Sequence, residues 1–369
     1  MKTLGIVFGN LHDSDLGELT SIRSIASIPF GGRFRLIDFV LSNMVNSGIT
    51  KVGVITKNNY QSLMDHVGSG KHWDLSRKNG GLIMLPPYND GDTSLYRSRF
   101  EAIKNIMPFI STSDEEYVVM SDCDSVCNIN LADVVQRHID NHADITIVTR
   151  KKELVNKKSR TVIETDKDGR VINVVNTDKA RGENTVFTNI LVMNRKFLLH
   201  ILENATELNY NSFSGDVLVR GAKDYRIFTY MQNGYFANID SIANYYKHSL
   251  ELLDKDIRDE LFYSDGANIY TKVRDSAPCK IGNDAIISNS LIADGCVIEG
   301  EVRNSILFRG VKVAKGTKIT NSIVFQDTEI GQNSVLNCVI ADKRVTVLEG
   351  RMLSGHETHP YYIAKHAVI

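Results

Sequence analysis

Through the first two thirds of the chain, apolar residues gather in short runs. Leu4–Phe8 is one, closed by Gly9, and Val52–Thr56, Tyr117–Met120 and Ile145–Thr149 are others. Between the runs, apolar positions recur at helical spacing. Over Arg35–Ser47, the residues Leu36, Ile37, Val40, Leu41, Met44 and Val45 share one face, and Gly48 is the expected stop. Leu131–Asn141 and Arg195–Asn204 repeat the pattern. Strand–helix alternation with fully apolar strands predicts an α/β domain, Rossmann-like, with a mostly parallel sheet covered on both faces. Ligands then sit beyond the carboxyl ends of the strands. The segments after Phe8, Met120 and Met193 are where the chemistry is expected.

Near residue 275 the pattern changes to a repeat. Asn289-Ser-Leu-Ile recurs as Asn304-Ser-Ile-Leu, Asn321-Ser-Ile-Val and Asn337-Cys-Val-Ile, at steps of 15, 17 and 16. Turns end at Gly300, Gly316, Asn333 and Gly350. Gly and Asn tolerate positive φ, so a corner that needs it recurs once per period. Short β-branched steps at constant period, without helix, predict a parallel β-helix whose coils must stack to be stable.

Composition narrows the function classes. The chain has 369 residues, 43 Lys plus Arg against 44 Asp plus Glu, and a net charge of −1. Such a chain has no broad field to hold a polyanion, so no nucleic-acid partner is expected. No apolar run approaches the ~18 residues of a membrane span, and the apolar start is too short for a signal peptide. Five Cys at no metal-type spacing read as reduced thiols. A cytoplasmic protein without membrane contact is expected.

Pro29-Phe-Gly-Gly-Arg-Phe-Arg-Leu-Ile-Asp-Phe-Val-Leu-Ser-Asn-Met-Val-Asn-Ser-Gly-Ile49 is the most informative stretch. With the Gly234-Tyr235-Phe236 strand end and the C-terminal repeat, it closely resembles the bacterial ADP-glucose pyrophosphorylases (glucose-1-phosphate adenylyltransferases). The resemblance implies a nucleotidyltransferase-like domain over 1–245, a linker over 246–275 and a left-handed β-helix over 276–369. It also implies a reaction: ADP-glucose and pyrophosphate from ATP and glucose 1-phosphate, in glycogen synthesis. Adenylyl transfer needs backbone N–H groups and cations for the triphosphate, paired carboxylates for Mg²⁺, and polar groups for the sugar.

Set against that family, the site residues have changed. The glycine-rich phosphate loop corresponds to Gly9-Asn10-Leu-His-Asp-Ser-Asp-Leu-Gly-Glu-Leu-Thr20, one residue longer. The family's loop Arg falls at Asp15 and its Lys at Ile25, with Arg23 nearby. Asp13, Asp15 and Glu18 are expected to face the phosphates. A carboxylate in place of a cation is worth about 4 kcal/mol of gross repulsion at ~4 Å and a dielectric near 20, less where solvent screens it. The family's Gly-Thr-Ala turn for the base becomes Ser98-Arg99-Phe100, which either fills the adenine slot or turns Arg99 into a new anion site. One metal carboxylate is kept at Asp124. The other becomes Asn238, a weak Mg²⁺ ligand. Asp122 and Asp240 lie close enough in sequence for a rebuilt site. The family's sugar-phosphate Glu-Lys pair falls at Asn176 and Thr177, and its Ser-Met-Gly-Ile near Asn189.

Joint loss of these pieces on a kept scaffold resembles the GlgD-type branch of the family, a non-catalytic or weakly active regulatory subunit. The partner so implied is a catalytic pyrophosphorylase subunit in a hetero-oligomer, a mixed tetramer in that family, with a sugar phosphate as candidate effector. The alternative is an active adenylyltransferase with a rebuilt site, which alone would require Mg²⁺. Two further clusters stay open. His138 and His142 form either a solvated helix face or a zinc pair. The bases of Arg150–Arg160 form either a solvated loop or an anion, effector or partner surface.

Overall fold

The computed structural model describes every residue except Met1, His12, 88–95, Arg97, 155–158, Thr206, Asn209 and Asp265. The N-terminal unit is built on a nine-stranded sheet. In chain order its elements begin β1 (Thr3–Phe8), α1 (Leu36–Asn46), β2 (Lys51–Ile55), β3 (Gly81–Leu85), α2 (Arg99–Asn105), β4 (Tyr117–Asp122) and α3 (Leu131–Asp140). They continue β5 (Ile145–Leu154), β6 (Arg160–Thr165), β7 (Val171–Thr177), β8 (Gly182–Asn194), α4 (Arg195–Glu203) and β9 (Ile227–Met231). The strand order is β7-β6-β8-β4-β1-β2-β3, with β5 pairing β8 and β9. β4, β1, β2 and β3 are parallel. β8 runs antiparallel to both β4 and β5.

That reversal corrects one expectation. The carboxyl end of β8 lies at the far edge of the sheet, where Asn194 pairs with Tyr117. The middle of β8 faces the site instead: Ile190 pairs with Ser121, and Asn189 holds φ +65 in the irregular stretch between Phe187 and Leu191. The segments after Phe8 and Met120 do flank the site.

β1 shows why the strands are apolar throughout. Val7 packs into the core on one side of the sheet, and Leu4, Ile6 and Phe8 into the core on the other. α1 buries Leu36, Ile37, Val40, Leu41 and Met44 against the first of these. Its start is fixed by Asp38, whose carboxylate accepts from the Arg35 backbone N–H at 3.0 Å and sits 2.6 Å from His66.

The stretch 246–275 contains the second half of α5 (Ile242–Glu251) and all of α6 (Lys255–Phe262), then an extended run. Beyond it the chain winds as a left-handed β-helix, with three parallel five-stranded sheets as its faces. Ile298, Val313, Ile330 and Val347 are buried one above another along one face. Asn289, Asn304 and Asn321 take φ of 41°, 46° and 47° at one corner. In the next coil that corner is Cys338, not Asn337, because Asn337 pairs with Thr320. The true step is therefore 17, from 321 to 338. Gly316, Asn333 and Gly350 share a second positive-φ corner. Gly300 does not; there an added Cβ would lie 2.5 Å from the Thr317 carbonyl oxygen, so glycine is required for room.

The two units share a core. Phe308 and Phe325 of the β-helix lie 5.1 Å apart, centroid to centroid, and Tyr245 of α5 meets Phe325 at 6.3 Å. No helix among the described residues is long and apolar enough to cross a membrane.

Candidate functional site

The candidate site is a cavity of about 400 Å³ beyond the carboxyl ends of β1 and β4. Asp15, Ser98, Arg99, Asp124, Asn189 and Asp240 line it, with Arg160 and Phe187. The loop after β1 is held tightly. The Asp13 carboxylate accepts from the Ile25 backbone N–H and the Asn10 amide, both at 2.7 Å. The Asn10 side-chain oxygen accepts from the Lys57 N–H at 3.0 Å. Gly9 is buried, and an added Cβ there would lie 3.0 Å from the Ile55 carbonyl oxygen.

Several expectations are corrected here. Asp13 turns inward to brace the loop, and Glu18 is exposed outside the cavity lining, so of the three acids Asp15 alone lines the cavity. Gly9 and Asn10 shape the loop without lining the cavity, and Ile25 is buried in the core. Arg23 points away altogether. It is 2% exposed, and its Nη2 donates to both carboxylate oxygens of Asp342 of the β-helix, each at 2.8 Å. The Tyr362 hydroxyl and the Lys343 backbone N–H also donate to that carboxylate. Arg23 is thus a latch between the two units.

Asp124 and Asn238, the positions aligned with the family's metal ligands, lie side by side. The Asn238 amide donates to Asp124 Oδ2 at 2.9 Å, and Asn189 reaches the same oxygen at 3.4 Å. On the other side of Asn238 lies Arg160. Its guanidinium contacts the Asn238 carbonyl oxygen at 3.4 Å and forms an ion pair with Asp240, which also accepts from Asn244. These residues do not fit Mg²⁺. One carboxylate is tied to an amide, and a resident guanidinium already neutralises the other. Among the described residues no group of three or more metal-type side chains converges.

Arg99 is paired in the same way. Ser98 caps α2 by accepting from the Glu101 N–H at 3.2 Å. That places Arg99 inward, 2.5 Å from Asp122, with its guanidinium over the rings of Phe8 (5.3 Å) and Phe187 (5.9 Å). Phe100 is buried beneath. Arg99 thus lines the cavity with its charge answered by Asp122. Arg97 lies outside the described residues.

On the sugar side, Asn176 accepts from Thr161 at 2.6 Å, and Thr177 accepts from the Lys179 N–H at 3.0 Å. Neither lines the cavity. Sequence reasoning missed Arg160 as a site residue, because it closes the basic run and reads as part of a loop. Its signal was its place as the first residue of a strand. Part of that run, 155–158, lies outside the described residues.

The remaining clusters resolve simply. Cys123 and Cys127 are buried free thiols, and burial pushes the Cys127 thiol up to about 12. His138 is not on a solvated face. It is buried, 2.9 Å from the Thr146 hydroxyl, and burial lowers it to about 4.

Comparison with known proteins agrees with the family resemblance and with the C-terminal repeat. A family model described as nucleotidyl transferase matches residues 14–255, and one described as GlmU-like, C-terminal hexapeptide matches 277–359. The glycogen biosynthesis protein GlgD of Bacillus subtilis is 35% identical over 365 residues, 99% of this chain and 96% of the relative. GlgD of Geobacillus stearothermophilus is 36% identical over 86% of this chain and 83% of its own. The glucose-1-phosphate adenylyltransferase of Thermotoga neapolitana is 33% identical, over 86% and 76%.

Proposed function

Because the chain belongs to the nucleotidyl transferase family of glycogen biosynthesis, with the glucose-1-phosphate adenylyltransferases and GlgD proteins, we propose that it acts there as a non-catalytic regulatory subunit. The observation that carries this reading is Arg160. Its guanidinium stands beside Asn238 and Asp240, where the reaction needs a divalent cation. A fixed side-chain cation can neutralise carboxylates, but it cannot bridge two phosphates and exchange ligands as a metal does. Arg99 answers Asp122 in the same way.

The partner is a catalytic homologue of the same family. The scaffold stretch 29–49 and the β-helix are kept while the chemistry is lost, as a subunit retained for its surfaces requires. The alternative, an active enzyme using Asp122, Asp124 and Asp240, is less well supported, since each of these carboxylates is engaged by Arg99, Asn238 or Arg160. Calorimetry with Mg²⁺-ATP decides between them. The regulatory reading expects no saturable Mg²⁺-dependent heat from the chain alone, and a mixed complex with the catalytic homologue by light scattering at micromolar concentration. Saturable binding abolished by Asp124→Ala would establish the alternative.

A further inference from the structure

Five cysteines are spread along the chain, and two of them stand side by side at one end of the β-helix. Lys280 pairs with Val297 and Ile281 with Ile298, on the outermost strand of one face. The ladder runs on before that strand. The Ala277 carbonyl accepts from the Gly295 N–H at 2.7 Å, and the Cys296 carbonyl from the Lys280 N–H at 2.8 Å. The same offset places Cys279 directly opposite Cys296. Both side chains pack into the β-helix core. In-register neighbours on adjacent parallel strands hold their Cα atoms roughly 4.8 Å apart. That lies inside the ~4.4–6.8 Å window that a disulfide spans. Cys296 is fully buried, and its thiol donates to the Phe308 carbonyl oxygen at 3.2 Å. Cys279 is the one cysteine of the five that is not buried. Its coil is held by a neighbour on one side only. Ile281 occupies the position of Ile298 and Val313 yet is exposed, because its strand ends the sheet. A coil laddered on one side is the one that can shift to bring two sulfurs together.

We propose that Cys279 and Cys296 form a reversible disulfide, which staples the first coil of the β-helix to the second when the chain meets a low-molecular-weight disulfide such as oxidised glutathione. The Cys279 thiolate attacks one sulfur of the oxidant, whose S–S bond breaks and expels a thiolate. The Cys296 thiolate then attacks the Cys279 sulfur of that mixed disulfide and expels the second. Two protein thiols are oxidised and the oxidant is reduced to two thiols, which take up the two protons that the cysteines lose. Cys296 gives up its hydrogen bond to Phe308 in the process. Burial pushes both thiols up, Cys296 to about 11, so the resting state is the dithiol and exchange is slow at neutral pH. The staple closes the chain over 280–295. Residues 291–294 of that loop form one wall of a cavity of about 690 Å³ between the two units, with residues 31–34, Phe262 and Tyr263 among the others. Oxidation therefore fixes a wall at the junction of the units. The proposal goes beyond the regulatory reading and does not depend on it.

The test incubates the folded full chain with oxidised glutathione at pH 8, then blocks free thiols with iodoacetamide in denaturant. Trypsin cuts between the two cysteines after Lys280, so a link joins two separate peptides in the mass spectrum. Blockable thiols should fall from five to three, with one species linking Cys279 to Cys296 that dithiothreitol releases. Amide exchange over 280–294 should slow about tenfold or more in the oxidised chain. Cys279→Ser and Cys296→Ser should each abolish the link. Cys279→Ser should leave thermal unfolding of the reduced chain unchanged, so its loss of the link is not a loss of the fold. Five thiols remaining, oxidation that halts at a glutathione adduct on Cys279, or a link through Cys123, Cys127 or Cys338 overturns the proposal. So does a link that leaves exchange over 280–294 unchanged.

Discussion

At the residue scale, two arginines, Arg99 and Arg160, enter the candidate centre and pair with its carboxylates. Asp122 faces the guanidinium of Arg99, and Asp240 that of Arg160. This explains how buried carboxylates persist without a metal: an unpaired buried charge costs several kcal/mol, and a paired one is tolerated. Removing Arg160 while restoring the ligand should therefore recover affinity for the ion. The double variant Arg160→Ala/Asn238→Asp is expected to bind Mg²⁺ at millimolar concentration by calorimetry, where the parent gives no heat. Failure of the double variant to bind would mean that Arg160 is incidental to the metal position. The latch makes a second residue-scale prediction. Asp342→Ala strands Arg23 at 2% exposure and should cost about 3–5 kcal/mol, read as a lowered denaturation midpoint. A change below about 1 kcal/mol would show that the latch contributes little.

At the element scale, the helices and inner strands were legible because their periodicity is strong. α1 and α3 match their expected spans to within a residue at each end. β8 was not legible as a reversed strand, since an antiparallel member of a buried sheet is as apolar as a parallel one. The repeat was legible, but its register at Asn337 was not: Asn337 copies the letter of Asn321 one position before the corner, which is Cys338. His138 was misread for a similar reason. A histidine on a helix carries no sign of burial in its own letter, and the partner that settles it, Thr146, lies on the next strand. That burial has a pH consequence. Its folded pKa of about 4 lies below the unfolded value near 6.5, so its contribution is complete above pH 6.5 and is lost as pH falls toward 4. His66 is lowered by burial as well, against the pull of Asp38, and acts in the same direction. For His138 the loss is of the order of 3 kcal/mol. His138→Gln should flatten the acid side of a Tm-against-pH curve; an unchanged slope between pH 6.5 and 4.5 would contradict it.

At the scale of the whole molecule, what is kept and what is lost fall in different places. The shared core of Phe308, Phe325 and Tyr245, the Arg23–Asp342 latch and the stacked β-helix coils hold one continuous body. The sequence could show what is missing from the centre, because a family pattern marks each departed residue. It could not show that Arg160 answers Asp240, because a strand start far from Asp240 along the chain brings it there. A kept body whose central carboxylates are already paired is what a subunit working through contact requires. The direct measurement is ADP-glucose formation from ATP and glucose 1-phosphate with Mg²⁺, run on the chain alone, on a catalytic homologue alone, and on the two together. The account predicts no turnover by the chain alone, and a higher rate or a lower substrate requirement in the mixture than in the homologue. Turnover by the chain alone that disappears in Asp124→Ala would contradict it.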